Sequence, residues 1–146
     1  MSENSIEIVI ERPPQAVFAV LSDVTKNASW ASASVSGRQT SPGPVGVGTT
    51  AHEVSRFMGR RLEVDSEIVE FRADQLLRYV TRGGPFPFQG TFTVEPVANG
   101  TRLTTSFQIR PPGFRRVVGP LIRILAKRQF ERDLANLKRL MEAGSL

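Results

Sequence analysis

The chain has 146 residues, contains no cysteine and carries a formal net charge of +5. This length is sufficient for one domain with its own hydrophobic core, and we expect residues 1–146 to form that single domain. The lack of cysteine excludes disulfides and thiolate-bound metals, which suits a cytoplasmic protein. No secretory leader pattern opens the chain, and no apolar run is long enough to span a bilayer, so we expect neither secretion nor membrane insertion.

The positive charge is concentrated near the C-terminus. Residues 110–146 carry a net charge of +6, whereas residues 1–109 carry −1. A basic segment can attract phosphate groups. These lysines and arginines, however, are spread through a helical pattern and lack the interleaved aromatic residues on which nucleic-acid bases stack. Nucleic acid is therefore not an expected partner.

The first thirty residues predict a strand followed by two short helices. Isoleucine occupies every second position of residues 6–10, which is the period of a strand with one buried face. Pro13 and Pro14 suit the first turn of a helix, and apolar residues recur at helical spacing from 17 to 21. Asp23 is placed to cap a second short helix that runs toward Trp30.

Residues 32–110 predict five or six further strands, all antiparallel. Short alternating segments are separated by turn residues, among them Met58-Gly59 and Asn99-Gly100. The clearest alternations run through residues 62–68, 88–94 and 103–109, where the intervening positions are mostly charged or hydroxyl-bearing. One face of the sheet is therefore expected to be apolar and the other hydrated.

A long helix is predicted from about Gly119 to Ala143, and it is the one segment long enough to cover the apolar face of the sheet. Its second half has a single apolar stripe that should pack on the sheet. This stripe consists of Phe130, Leu134, Leu137 and Met141.

The first half of the same helix has a second apolar stripe that points in another direction. Both stripes cannot face one sheet, so either the chain bends at Gly119-Pro120 or the early turns expose apolar surface. We expect exposure, with Leu121, Ile124 and Leu125 forming a homodimer contact or a movable lid.

Six short segments, taken in order, carry a family resemblance. They are Ile6-Glu7-Ile8 with the helix from Pro14 to Phe18, the set Asp23, Asn27 and Trp30, the loop from Gly43 to Thr49, the turn from Phe57 to Arg60, the hairpin from Asn99 to Thr104, and the segment from Leu134 to Leu140. Together they resemble the SRPBCC (START/Bet v 1-like) superfamily, in particular its polyketide cyclase/dehydrase and lipid-transport-like branch, over essentially the full length. The resemblance implies a helix-grip α+β fold, with a curved antiparallel sheet of six or seven strands around the C-terminal helix and a ligand cavity between them.

Aromatic side chains are the predicted lining of such a cavity. The candidate ligand-binding residues are Trp30, Phe57, Tyr79, Phe88, Phe107, Gln129 and Phe130. Polar groups that could orient a ligand are His52, Arg78, Tyr79 and Gln129. His52 is the catalytic candidate because it is the only histidine, although a lone histidine on a strand is more often structural.

No metal or cofactor is expected. One histidine and no cysteine leave only scattered carboxylates as ligands. The glycine-rich residues 43–48 precede a strand and lack the helix N-terminus and lysine of a phosphate-binding loop, so they predict a loop at the cavity mouth.

Three functions remain open at this point. Binding or carriage of a small hydrophobic molecule, whether lipid-, polyketide- or aromatic-like, is the favoured one and needs only an apolar pocket. A cofactor-independent polyketide cyclase or dehydratase would also need paired polar groups inside that pocket. A protein-interaction module would instead need apolar surface outside it.

Overall fold

The strands form one antiparallel sheet in a computed structural model that describes residues 5–57, 59–84, 87–109 and 119–146. The strands are β1 (Ser5–Ile10), β2 (Ser34–Gln39), β3 (Thr50–Phe57), β4 (Arg60–Arg72), β5 (Leu76–Gly83), β6 (Phe88–Val97) and β7 (Gly100–Ile109). Their order in the sheet is β1-β7-β6-β5-β4-β3-β2, and every neighbouring pair is antiparallel. The predicted fold class is confirmed, with seven strands in the described part of the chain.

Two short helices follow β1, as predicted. Helix α1 spans Pro14–Leu21, and a 3₁₀ turn at Val24–Lys26 leads directly into α2, Asn27–Trp30. The Asp23 side chain accepts a hydrogen bond from the backbone N–H of Thr25 at 3.0 Å, so it caps the 3₁₀ turn that continues into α2.

Irregularities in strand pairing bend the sheet. The register shifts between Ser34 and Ser36 where β2 meets β3, and twice more where β4 meets β5. An extra residue in one strand increases the local twist and bends that strand. The sheet is therefore concave on the side that faces the long C-terminal helix.

Helix α3 spans Gly119–Glu142 and packs against β1 and α2. Leu134, Leu137 and Met141 are almost completely buried, in a core that they share with Ile10 and Leu103. The predicted apolar stripe of the second half of α3 is confirmed.

The first half of α3 is much less covered. Leu121 and Ile124 are 54% and 52% exposed, and Leu125 is 36% exposed. The expected exposure of this stripe is therefore present in the structure. A homodimer or lid formed by these three residues stays a prediction.

Candidate functional site

A cavity of about 300 Å³ lies between the concave face of the sheet and helix α3. Its volume is at the lower end of the range for small-molecule sites. The walls come from α1, α2, strands β2 to β6 and α3. The lining residues are Leu21, Ser22, Val24, Asn27, Trp30, Ala31, Ala33, Ser34, Ala51, Glu53, Ser55, Leu62, Val64, Ser66, Ile68, Leu77, Tyr79, Thr81, Phe88, Phe92, Ala126, Gln129, Phe130 and Asp133.

Strand alternation decides which side chains reach the cavity. In β3 the inward residues are Ala51, Glu53 and Ser55. Glu53 pairs with Val64 of β4, and residues opposite each other in an antiparallel pair share a face. The intervening residues of both strands lie on the outer face of the sheet.

Aromatic rings form one end of the cavity. The ring of Phe88 lies 5.9 Å from that of Tyr79, 6.2 Å from that of Phe107 and 6.1 Å from that of Phe130, measured between centroids. Phe107 and Phe130 are closer still, with centroids 4.6 Å apart. These spacings are typical of favourable ring contacts, so the cluster holds β5, β6, β7 and α3 together around the cavity.

The position of Tyr79 depends on a glycine in the next strand. Gly90 of β6 pairs with Tyr79 of β5, and a Cβ placed on Gly90 would lie 2.7 Å from the tyrosine hydroxyl. The ring therefore occupies the space that any other residue would fill. Burial is the main cause that raises the pKa of Tyr79, and the negative charge of Glu53 raises it further, so the phenol stays neutral and able to donate a hydrogen bond.

A polar cluster forms another part of the wall. Glu53 accepts hydrogen bonds at Oε2 from Asn27 Nδ2 at 3.0 Å and from Ser34 Oγ at 2.8 Å. The carboxylate thus joins α2, β2 and β3 at the cavity surface. Among the described residues, the other carboxylate oxygen of Glu53 and the side-chain amide oxygen Oδ1 of Asn27 have no hydrogen-bond donor.

Trp30 is 5% exposed and belongs to the same wall. Helix α3 holds its backbone in place, because Asn136 Nδ2 donates to the Trp30 carbonyl oxygen at 3.2 Å. The indole Nε1 is buried and has no partner within the described part of the chain. Trp30 therefore offers a free N–H donor in a wall that already contains the acceptor Glu53.

A second carboxylate, Asp133 of α3, also lines the cavity and is only 4% exposed. It accepts a hydrogen bond at Oδ1 from the backbone N–H of Ser32 at 3.0 Å, which ties α3 to the segment after α2. Desolvation raises the pKa of Asp133, and the hydrogen bonds from Ser32 oppose that rise.

The comparisons with known proteins agree with this geometry. The family model described as polyketide cyclase/dehydrase and lipid transport matches residues 1–142. The chain belongs to this family. The sequence-based resemblance to the SRPBCC superfamily is thereby confirmed, and no curated protein sequence matches the chain closely enough to count as a relative.

Several solved structures share the fold. TTHA0849 from Thermus thermophilus is 23% identical and superposes with a TM-score of 0.79, over 97% of this chain and 98% of that one. A START superfamily protein from Mycobacterium smegmatis is 12% identical with a TM-score of 0.77, over 95% and 96% of the two chains. The di-domain ARO/CYC BexL from the BE-7585A biosynthetic pathway is 17% identical with a TM-score of 0.76, over 94% of this chain and 45% of that chain.

Most of the predicted ligand-binding residues meet at the cavity. Trp30, Tyr79, Phe88, Gln129 and Phe130 all line it. Their contact with a ligand stays a prediction.

Two other predicted residues do not appear in the described lining. Phe107 is 3% exposed and supports Phe88 and Phe130 from the core side. The side chain of Phe57 lies outside the described part of the protein.

His52 and Arg78 lie on the outer face of the sheet. His52 Nδ1 is 2.7 Å from Asp65 Oδ1 and its Nε2 is 3.1 Å from Glu63 Oε1. Arg78 Nε donates to Glu70 Oε1 at 3.2 Å. Each residue alternates with an inward neighbour, Glu53 or Tyr79, and therefore cannot face the cavity from the same strand.

Sequence reasoning missed three polar residues of the cavity wall, which are Glu53, Asn27 and Asp133.

Among the described residues, no group of three or more His, Cys, Asp or Glu side chains is arranged to hold a metal ion. In the same part of the chain, no helix has the length and apolar character needed to cross a membrane.

Proposed function

We propose that this protein binds and carries a small, mainly apolar, ring-containing molecule in the cavity between the sheet and helix α3. The observation that carries the proposal is the cavity itself, which combines a volume of about 300 Å³ with an aromatic cluster at one end. Apolar walls with a few polar groups are typical of small-molecule sites. The family match supports the same function class.

Titration with a neutral, environment-sensitive dye tests this proposal. Ser66→Phe places a ring in the cavity from the middle of β4, and we expect the dye affinity to fall by at least about tenfold because the space is filled. Glu67→Phe is the matched control, since it adds the same ring at the next residue on the outer face. The proposal fails if the folded Ser66→Phe protein binds the dye as tightly as the parent does.

Native mass spectrometry of freshly purified protein gives a second measurement. A retained small molecule that is present in the parent and absent from Ser66→Phe would support the same site. It would also supply the mass of the ligand.

Cyclase or dehydratase activity is the second candidate, and the arrangement of Glu53 and Tyr79 favours it. Both residues line the cavity, one as a carboxylate acceptor and the other as a neutral phenol. In a ring closure, Glu53 would remove a proton from the carbon beside a ketone while Tyr79 donates a hydrogen bond to the ketone oxygen. The resulting enolate carbon would form a C–C bond to a second carbonyl carbon, and the proton on Glu53 would pass to the new alkoxide.

Proton abstraction can be measured without knowledge of the natural substrate. We expect the parent to accelerate deuterium exchange beside the carbonyl of benzylacetone in D₂O, as followed by NMR, and Glu53→Gln to lose that acceleration while still binding the ketone. An exchange rate no faster than in buffer would remove the enzyme candidate and leave the binding function untouched.

A further inference from the structure

The cavity wall carries charge of one sign, although the chain as a whole is basic. Glu53 and Asp133 line the cavity, and none of the described lining residues is lysine, arginine or histidine. Neither acid forms an ion pair within the described residues, whereas on the outer face Glu67 is paired with Arg82 at 3.0 Å. The charged side chains in the described wall are therefore all acidic, and they lie in the same cavity as the aromatic rings.

A second, independent observation indicates what would occupy the polar end. Trp30 is 95% buried in the wall, and its Nε1 donor lacks a partner among the described residues. In the same one-turn helix, the buried side-chain amide oxygen of Asn27, Oδ1, lacks a donor among the described residues. Buried polar groups normally have partners. Both atoms are covered by their neighbours in this structure, so a ligand group that both donates and accepts hydrogen bonds would pair with them by displacing the side chains that cover them.

We infer that the ligand is uncharged or cationic and carries a hydroxyl or amino group at this end, and that the cavity rejects carboxylates such as fatty acids. This inference rests on the proposed binding function. An O–H or N–H group would donate to Glu53 or to Asn27 Oδ1, and a hydroxyl oxygen would accept from Trp30 Nε1.

The expected preference for amines and alcohols over carboxylates follows from electrostatics. Charges inside a protein interact through a lower effective dielectric constant than in water, so a carboxylate placed near Glu53 would be strongly repelled. An ammonium group would instead form a charge-assisted hydrogen bond to Glu53. The aromatic rings of Trp30 and Tyr79, which line the same cavity, would add a favourable contact for a cation that reaches a ring face.

Three compounds with the same apolar body test the inference. Phenylbutylamine, phenylbutanol and 5-phenylvalerate share a phenyl ring and four methylene groups and differ only at the head group, and each is measured by its displacement of the neutral dye at low ionic strength. We expect the amine to bind at least about tenfold more tightly than the carboxylate, with the alcohol between them. Equal affinity of the amine and the carboxylate in the parent protein would overturn the inference.

Two variants locate the effect. Glu53→Gln should reduce the ratio between amine and carboxylate affinities to within about threefold, since it removes the charge and keeps the shape. Glu63→Gln removes the same charge from the outer face of the adjacent strand and should leave the ratio unchanged. A ratio that falls equally in both variants would contradict a local role of Glu53.

The alcohol gives a further readout. Trp30→Phe keeps an aromatic ring and deletes the unpaired N–H, so it should weaken phenylbutanol more than it weakens the dye. The failures are separable, because dye that does not bind the parent at all would refute the proposed function, whereas bound dye without head-group discrimination would refute only this inference.

Discussion

The two faces of strands β3, β4 and β5 differ in how their charges are partnered, although the same three strands supply both. On the outer face the charges are paired with one another in water, as between Arg82 and Glu67 or between Arg78 and Glu70. Exposed pairs of this kind contribute little to stability. On the inner face, Glu53 meets only neutral hydrogen-bond donors among the described residues. A single carboxylate can therefore influence ligand choice on the inner face, while several on the outer face cannot.

The inner face also differs from one end of the sheet to the other. Strands β3 and β4 present no aromatic ring to the described cavity lining, and several of their inward side chains are small, namely Ala51, Ser55 and Ser66. Strands β6 and β7 present Phe88 and Phe107, which fill space and contact α3 through Phe130. The cavity exists where small residues face the helix and ends where the rings begin.

The largest predicted effect comes from Phe107→Ala. Phe107 is 3% exposed and contacts two rings of the cluster, so its truncation should lower the free energy of unfolding by about 3–5 kcal/mol. Urea denaturation measures the change. Val54→Ala on the outer face of β3 is the control and should cost about 1 kcal/mol or less. Similar losses in the two variants would show that the ring cluster does not support the wall of the cavity.

A smaller effect is predicted for Gly90→Ala. The new methyl group would lie within 3 Å of the Tyr79 ring, so the ring must move, and we expect a loss of about 1–3 kcal/mol together with weaker dye binding. Gly46→Ala is a suitable control, because a Cβ there meets no atom within 4 Å. Unchanged stability and dye affinity in Gly90→Ala would contradict the packing of Tyr79 on Gly90.

The sequence was sufficient to predict the fold, because the fold depends on patterns that extend over many residues. Alternation through residues 88–94 and 103–109 predicted two strands, and the structure pairs these strands as β6 and β7. The apolar stripe around Leu134 and Leu137 predicted the buried side of α3. Each pattern repeats several times, so the error at any one residue is averaged out.

The site was harder to predict because it depends on the face of individual residues. Polar and apolar residues are mixed on both sides of β3, so alternation alone does not decide between His52 and Glu53. The turn near Gly59 sets the register between β3 and β4, and this register could have shown which face Glu53 occupies. Phe57 pairs with Arg60, which places Glu53 opposite Val64, a residue of a clearly apolar face. Asp133 offered no comparable signal, because a lone acid beside a helical apolar stripe is usually solvated.

The smallest predicted effect is the pH dependence that His52 gives to stability. The hydrogen bond to Asp65 is the largest cause, and it raises the pKa of His52 above its ordinary value of 6.5. Desolvation, the next largest cause, lowers this pKa, and the hydrogen bond to Glu63 raises it again, so that the net shift is upward. The folded protein therefore holds this proton more tightly than the unfolded chain does. The resulting stabilisation is fully present below pH 6.5 and disappears as the pH rises through the folded-state pKa.

Melting temperatures of the parent and of His52→Gln, measured from about pH 5 to about pH 9, should differ most at the acidic end and converge at the alkaline end. Dye affinity provides the control, because His52 lies on the outer face and its loss should leave binding unchanged at every pH. A difference in melting temperature that grows with pH would contradict the raised pKa. A tenfold change in affinity is about the effect of one modest hydrogen bond. A loss of dye affinity of about tenfold or more would therefore show that His52 influences the cavity from the outer face.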